Sequence, residues 1–133
     1  MKDLNASDVM VRPVVSAKKN ASARDVALQL LTGLYSGMPV TDEEGTVIGV
    51  ITELDLLHAV LEGKELVRIT AGDIMAKDPV TADVNTSLGD IVKLMKDKNI
   101  IRLPITDQGK LVGVVARCDI LKSLIEPEFV TYM

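Results

Sequence analysis

The apolar positions of the chain change period several times, and these changes predict alternating strands and helices. After Pro13 the run 14–16 is rich in β-favouring residues, and the run 80–81 after Pro79 is similar. Helical spacing follows each run, and Ser22 and Ser87 are suitable N-cap residues. The residues that keep this spacing are Val26, Leu30, Leu31 and Leu34 in the first helix, and Ile91, Leu94, Met95 and Lys98 in the second.

A β-hairpin is predicted after each of these helices. Its strands are 38–41 and 46–51 in the first case, and 103–106 and 110–115 in the second. The intervening turns are short, polar and closed by glycine, which is typical of hairpin loops. A further helix is predicted after each hairpin, over 53–61 and over 117–124, and Pro127 is expected to stop the last one. The order β-α-β-β-α is therefore predicted twice.

The residues themselves also repeat. ASDVM at 6–10 returns as AGDIM at 71–75, and GMPVTD at 37–42 returns as RLPITD at 102–107, both 65 positions later. GVITELD at 49–55 returns as GVVARCD, 64 positions later. Repetition in the same order indicates two copies of one unit. The expected division is a first repeat over 6–61, a linker over 62–70, a second repeat over 71–124 and a C-terminal tail over 125–133.

We expect an α/β (α+β) fold built from these two copies. One copy of about 55 residues buries too little surface to be more than marginally stable. The two sheets are therefore expected to pack together with pseudo-twofold symmetry. Clefts between the copies are then the natural ligand sites.

Composition narrows the possible functions. The 133 residues are 47% hydrophobic and 26% charged, which fits one compact soluble unit. A net charge of −4 and 2% aromatic residues argue against nucleic-acid binding, which uses basic and aromatic side chains. No apolar run reaches the roughly 20 residues of a membrane span, and the first ten residues do not resemble a signal peptide. The lone Cys118 excludes an intramolecular disulfide. Together, the lack of a membrane span, of a signal peptide and of a disulfide lead us to expect a cytoplasmic protein without a membrane partner.

The segment 49–55 has the features of an anion site. Gly49 permits a close backbone approach along a buried strand. Thr52 stands where the strand passes into a helix, and helix N-termini bind phosphate through free N–H groups. Asp55 can accept two hydrogen bonds, which suits the cis-diol of ribose. The Thr52-x-x-Asp55 spacing is also that of a helix capping box, so from the residues alone both roles stay open.

The duplicated motifs resemble those of a tandem CBS-domain pair, often called a Bateman module. Three motifs carry the resemblance over 6–124: D-[VI]-M followed by a proline, the hairpin start with its proline (MPVTD and LPITD), and G-h-h-[TA]-x-x-D. The resemblance implies a stand-alone regulatory module, not an enzyme, that requires no cofactor. Its effector would be an adenosine-containing ligand such as AMP, ADP, ATP, S-adenosylmethionine or methylthioadenosine. It would signal to a partner protein.

The resemblance further implies that the ligand at one copy's G-h-h-T-x-x-D is completed by the opposite copy. In the main site Arg102 would grip a phosphate through paired hydrogen bonds. Without the resemblance, Arg102 is equally well explained as a solvated arginine near a hairpin. The residues expected at the main site are Thr52, Asp55, Asp78, Val80, Ile100, Ile101, Arg102, Leu103 and Pro104.

The second site is expected to be weaker. Asp119 keeps the carboxylate, but Ala116 replaces the hydroxyl and Gly37 stands where Arg102 stands in the other copy. Arg117 could supply charge from another direction. The residues expected at this site are Asp119, Arg117, Arg12, Val14, Tyr35, Ser36 and Met38.

The remaining residues with reactive side chains show no catalytic or metal-binding pattern in the sequence. His58 has no second His or Cys near it in sequence, so a surface role is expected and no metal site. Cys118 is expected to be a small packing residue, because no triad-like histidine follows it. Met10 and Met75 recur with the repeat and are expected to pack.

Two functions therefore stay open, an adenosyl-ligand sensor and a ligand-free scaffold for dimerisation or protein–protein interaction. The resemblance implies a homodimer formed by the helices around each hairpin. Their apolar residues are more numerous than one small core needs. These residues are Leu56, Leu57, Val60, Ile120, Leu121 and Leu124.

Overall fold

The structure, a computed structural model, describes the backbone of residues 3–33 and 35–132 and the side chains of 3–33 and 35–125. In chain order the elements are α1 (Ala6–Val9), β1 (Ala17–Lys18), α2 (Ala23–Gly33), β2 (Gly37–Thr41), β3 (Val47–Thr52), α3 (Glu53–Leu61), a 3-10 turn (Leu66–Arg68), α4 (Ala71–Ile74), β4 (Ala76–Lys77), β5 (Ala82–Asp83), α5 (Leu88–Lys98), β6 (Arg102–Asp107), β7 (Lys110–Ala116) and α6 (Arg117–Tyr132).

The chain divides into two compact units, and each is described by itself. Unit 1 comprises residues 1–14 and 80–133, and unit 2 comprises residues 15–79. We call 6–14 and 71–79 the leading segments of the two sequence repeats. Each unit therefore combines the leading segment of one repeat with the body of the other.

Unit 2 is built on a four-stranded sheet in the order β1-β2-β3-β4. β1 runs parallel to β2, whereas β2 with β3 and β3 with β4 are antiparallel. The hairpin turn is held by Asp42, whose side chain accepts hydrogen bonds from the N–H groups of Glu44 and Thr46. The buried core residues are Ala17, Ala23, Val26, Leu30, Met38, Val40, Ile51, Leu56 and Ala71.

Unit 1 repeats this plan with a three-stranded sheet in the order β5-β6-β7. β5 is parallel to β6, and β6 is antiparallel to β7. The turn at Gln108 and Gly109 has positive φ at both residues, as a tight hairpin requires. The buried core residues are Ala6, Ala82, Leu88, Ile91, Met95, Leu103, Ile105, Val115 and Ile120.

The leading segments make matching contacts in the two units. In unit 1 the Ala6 N–H donates to the Thr86 carbonyl over 2.9 Å, and in unit 2 the Ala71 N–H donates to the Ala21 carbonyl over 2.8 Å. Equivalent positions are thus paired in both units. Because these bonds link the two sequence repeats, neither repeat completes a unit from its own residues.

A methionine of each leading segment packs directly on a strand glycine. A Cβ on Gly49 would lie 2.4 Å from the Met75 Sδ, and a Cβ on Gly113 would lie 2.5 Å from the Met10 Sδ. The predicted close approach at Gly49 is therefore confirmed, and so is the packing role of Met10 and Met75.

Most predicted elements are confirmed. Both hairpins form, α3 has the predicted bounds, and Ser22 and Ser87 accept hydrogen bonds from N–H groups of the first turns of α2 and α5. Val26, Leu30, Ile91 and Met95 are buried as expected, whereas Leu31 is 68% exposed. Leu34 lies outside the described residues.

Two predictions about element bounds are wrong. The paired strands are Ala17–Lys18 and Ala82–Asp83, not 14–16 and 80–81. Val15 and Val80 instead pack against the cores of their units, since β-branched residues serve packing as well as pairing. The last helix does not stop at Pro127 but continues to Tyr132. A proline inside a helix removes one backbone hydrogen bond, and here the helix passes it.

No helix within the described part of the chain is long and apolar enough to cross a membrane.

Candidate functional site

The junction of β3 and α3 in unit 2 carries a complete capping box. The Thr52 N–H donates to the Asp55 Oδ2 over 2.8 Å, and the Thr52 hydroxyl also donates to this oxygen over 3.1 Å. In return the Thr52 Oγ1 accepts the Asp55 N–H over 3.3 Å. Both side chains are half-buried. The capping interpretation left open by the sequence is therefore confirmed, and a ligand role would have to coexist with it.

Carboxylates elsewhere in the chain share this local role. Asp8, Asp73 and Asp119 accept the backbone N–H three residues earlier over 2.8, 2.9 and 2.8 Å. Of these three, Asp73 is the one whose partner is a threonine: the Thr70 Oγ1 accepts the Asp73 N–H, as the Thr52 Oγ1 accepts the Asp55 N–H. The capping arrangement alone therefore does not mark a ligand site, and it offers matched controls for mutagenesis.

The start of the first hairpin lies directly against the start of α3. The Ser36 carbonyl accepts the Glu53 N–H over 3.0 Å, and Gly37 is paired with Thr52. A Cβ on Gly37 would lie 3.0 Å from the Ile51 carbonyl oxygen, so a larger residue would press on the neighbouring strand. Ser36 was assigned to the second site by resemblance, yet the structure places it beside Thr52 in the same unit.

At the equivalent junction in unit 1, between β7 and α6, the start of β6 lies against the start of α6. The Arg117 N–H donates to the Ile101 carbonyl over 3.1 Å, and its Nε donates to the Ile100 carbonyl over 2.9 Å. Arg102 is paired with Ala116, whose N–H donates to the Asp119 carboxylate. Residues 100–102 were expected in the main site, and Arg117 and Asp119 in the second site. The structure places the two groups next to each other within unit 1. Their proximity follows from the β6–β7 hairpin, in which Arg102 is paired with Ala116.

The other predicted site residues differ in exposure. Leu103, Pro104 and Met38 are buried, and Leu103 and Met38 belong to the cores of their units. Tyr35 and Val80 are half-buried and pack against those cores. Val14 is half-buried, while Asp78 and Arg12 are exposed. Asp78 has a positive φ of 60°.

The remaining residues with reactive side chains, His58 and Cys118, are both exposed. His58 is exposed as predicted, with its Nε2 3.6 Å from a Glu62 carboxylate oxygen. Cys118 is exposed at the start of α6, so its predicted packing role is wrong. Among the residues with described side chains, no three His, Cys, Asp or Glu are placed to hold one metal ion.

Two units with the same element order, each with a carboxylate at a strand-to-helix junction, define a duplicated α/β module. The CBS domain family profile matches residues 6–62 and 71–126, and the chain belongs to this family. The family and the fold class expected from the sequence are confirmed. The chain thus contains a CBS-domain pair, a regulatory module.

The relatives and solved structures support this assignment. An uncharacterized protein of Methanopyrus kandleri is 34% identical over 132 residues, which cover 98% of this chain and 66% of that protein. Two other curated relatives are matched over 41% and 33% of their lengths, so the chain spans only part of them.

Two crystal structures of CBS pairs carry adenosyl ligands. CBSX2 in complex with AMP has a TM-score of 0.80 at 27% identity, covering 93% of this chain and 98% of that chain. The CBS domain pair of protein MJ0100, in complex with 5′-methylthioadenosine and S-adenosyl-L-methionine, has a TM-score of 0.76 at 26% identity, covering 91% and 95%.

Proposed function

We propose that the chain binds an adenosine-containing ligand, of the AMP, ADP, ATP or S-adenosylmethionine type, and signals its presence to a partner protein in the cytoplasm. The observation that carries the proposal is the similarity to CBS pairs solved with AMP and with methylthioadenosine and S-adenosylmethionine. The ligand acts as an effector and undergoes no reaction on the protein.

Thr52 and Asp55 are the residues proposed to contribute most in unit 2. The N-terminus of α3 attracts phosphate, and the Thr52 hydroxyl adds a polar group there. An ionised carboxylate has about four acceptor sites, so Asp55 can keep its bonds to Thr52 and still accept from ribose hydroxyls. Asp119 is proposed for the ribose of the second, weaker site, with Arg117. Arg102 is proposed for the phosphate of the main-site ligand, as the resemblance implies.

A thermal-shift panel tests the proposal. AMP, ATP, S-adenosylmethionine and methylthioadenosine should each be compared with guanosine monophosphate as control. A ligand that binds only the folded chain stabilises it by about 2.7 kcal/mol at a hundredfold excess over Kd. At least one adenosyl compound is expected to raise the melting temperature while the guanosine control does not. No shift with any adenosyl compound would leave the scaffold function as the better explanation.

Arg102→Ala is expected to separate ligands by their phosphate content. A charge-assisted hydrogen bond contributes about 1.5–3 kcal/mol, so affinity for AMP should fall about tenfold to a hundredfold. Methylthioadenosine, which has no phosphate, should lose much less. Calorimetric titration with AMP and with methylthioadenosine measures the loss of affinity for each ligand. Arg102→Lys serves as the control variant, because lysine keeps the charge but lacks the paired donors of arginine. An equal loss for both ligands would contradict the phosphate role.

We further propose a homodimer formed by the exposed helix faces. Leu57, Val60, Leu121 and Leu124 are 65, 51, 61 and 43% exposed. Leu56 and Ile120 were expected on these faces too, but they are buried in the cores of their units. Light scattering at micromolar concentration should give twice the chain mass, and a monomeric mass would count against the dimer.

A further inference from the structure

The first turns of α3 and α6 differ in charge, although the two helices follow equivalent hairpins in the two units. Glu53 and Asp55 stand in the first turn of α3, whereas Arg117 and Asp119 stand in the first turn of α6. Over the first four residues, the two carboxylates give α3 a formal charge of −2, and one guanidinium offsets one carboxylate in α6, a charge of 0. The difference arises at a single repeat position, which Glu53 occupies in unit 2 and Arg117 in unit 1.

The backbone of Glu53 is held beside the proposed ligand-binding residues of unit 2. Its N–H donates to the Ser36 carbonyl over 3.0 Å. It directly follows Thr52, whose N–H and hydroxyl both donate to Asp55. The Glu53 side chain therefore begins one residue from the hydroxyl proposed for the phosphate end of the ligand and two residues from the carboxylate proposed for ribose.

The carboxylate of Glu53 is exposed and its charge is not neutralised by an ion pair. Among the side chains that the structure describes, none of the ion pairs involves Glu53. By contrast, carboxylate oxygens of Glu62 and Glu65 lie 3.4 and 2.7 Å from side-chain nitrogens of Lys64 and Arg68. A negative group in the first turn of a helix stabilises the free protein, because it compensates the helix dipole. The same charge repels any phosphate that approaches this helix terminus.

We propose that Glu53 sets the ligand preference of the Thr52–Asp55 site, against 5′-phosphates and most strongly against ATP, and in favour of a cationic 5′ group such as the sulfonium of S-adenosylmethionine. The inference rests on the proposed function and adds the charge class of ligand that this site prefers. Repulsion between two unit charges a few ångströms apart in water changes affinity by about threefold to tenfold. Each further phosphate adds to the repulsion.

Calorimetric titration of wild type and Glu53→Gln with four ligands tests the inference. The substitution should raise affinity for AMP about threefold to tenfold and affinity for ATP more. Methylthioadenosine, whose 5′ group is neutral, should change by less than about twofold, and S-adenosylmethionine should bind about threefold more weakly. The gains should shrink with added salt, because the screening length falls from about 10 Å at 0.1 M to about 3 Å at 1 M.

Glu43→Gln removes the same charge at another exposed position of unit 2 and is the matched control. Glu43 lies in the turn before β3, whereas Thr52 is the last residue of this six-residue strand. Such a strand spans about 17–20 Å, roughly twice the screening length at 0.1 M salt. Glu43→Gln should therefore leave the affinities for all four ligands unchanged.

The outcomes separate this inference from the proposed function. Affinities that change by the same factor for all four ligands, or for none of them, would show that Glu53 has only a structural role, and the proposed function would stand without the inference. A gain from Glu43→Gln equal to that from Glu53→Gln would assign the preference to the total charge of the chain and overturn the role of Glu53. If neither wild type nor Glu53→Gln binds any of the four compounds, the proposed function fails, and the inference fails with it.

Discussion

Asp55→Ala is expected to lower the affinity for an adenosine nucleotide about tenfold to a hundredfold, the loss of one charge-assisted contact of roughly 1.5–3 kcal/mol. The carboxylate already accepts the Thr52 N–H and hydroxyl, so its position is fixed before any ligand arrives. A fixed acceptor binds ribose hydroxyls with little loss of side-chain entropy. Calorimetric titration with AMP and methylthioadenosine measures the effect.

The chain contains its own controls for this substitution. Asp8 and Asp119 accept a backbone N–H over the same 2.8 Å as Asp55, so each alanine variant removes a comparable hydrogen bond of about 0.5–1.5 kcal/mol. Asp8→Ala should lower the melting temperature without changing ligand affinity. Asp119→Ala should weaken binding much less than Asp55→Ala, because Ala116 provides no hydroxyl where Thr52 does.

Two results would contradict this interpretation. Equal affinity losses from Asp55→Ala and Asp119→Ala would refute the asymmetry between the junctions. An affinity loss from Asp8→Ala as large as that from Asp55→Ala would mean that all three substitutions act through the stability of the fold.

Gly49→Ala is expected to destabilise the chain by about 1–3 kcal/mol, the usual cost of forcing an extra methyl group into a packed region. The new Cβ would lie 2.4 Å from the Met75 Sδ and 2.8 Å from the Ala76 carbonyl oxygen. The sulfur can move aside, but the carbonyl belongs to β4, which is paired with β3 at this position. Thermal or urea unfolding measures the loss.

Alanine substitutions at two further glycines provide comparisons for the stability loss expected of Gly49→Ala. At Gly113 the nearest atoms all belong to the flexible Met10 side chain, so Gly113→Ala should cost less than Gly49→Ala. At Gly89, inside α5, a Cβ meets nothing within 4 Å, and Gly89→Ala should stabilise the helix by about 0.5–1 kcal/mol. A Gly49→Ala chain as stable as wild type would show that β3 and β4 separate easily.

Local features of the structure follow from local features of the sequence. The helices and hairpins appear where periodicity and turn residues predict them, because a helix or a tight turn depends on neighbouring residues. The Thr52-x-x-Asp55 spacing likewise predicts a capping box, since both partners lie within one turn. The repeated motifs were sufficient to indicate the family.

The sequence by itself thus determined the two repeats, their element order and the residues at each strand-to-helix junction. Only the tertiary structure decided that the leading segments pair with the body of the other repeat, so that Met75 covers Gly49. It also decided that Leu56 is buried while Leu57, its neighbour, is exposed on α3. These outcomes depend on hydrogen bonds and packing between residues far apart in the chain. Periodicity marks a helix face as apolar, but the assembled fold determines which apolar residues become buried.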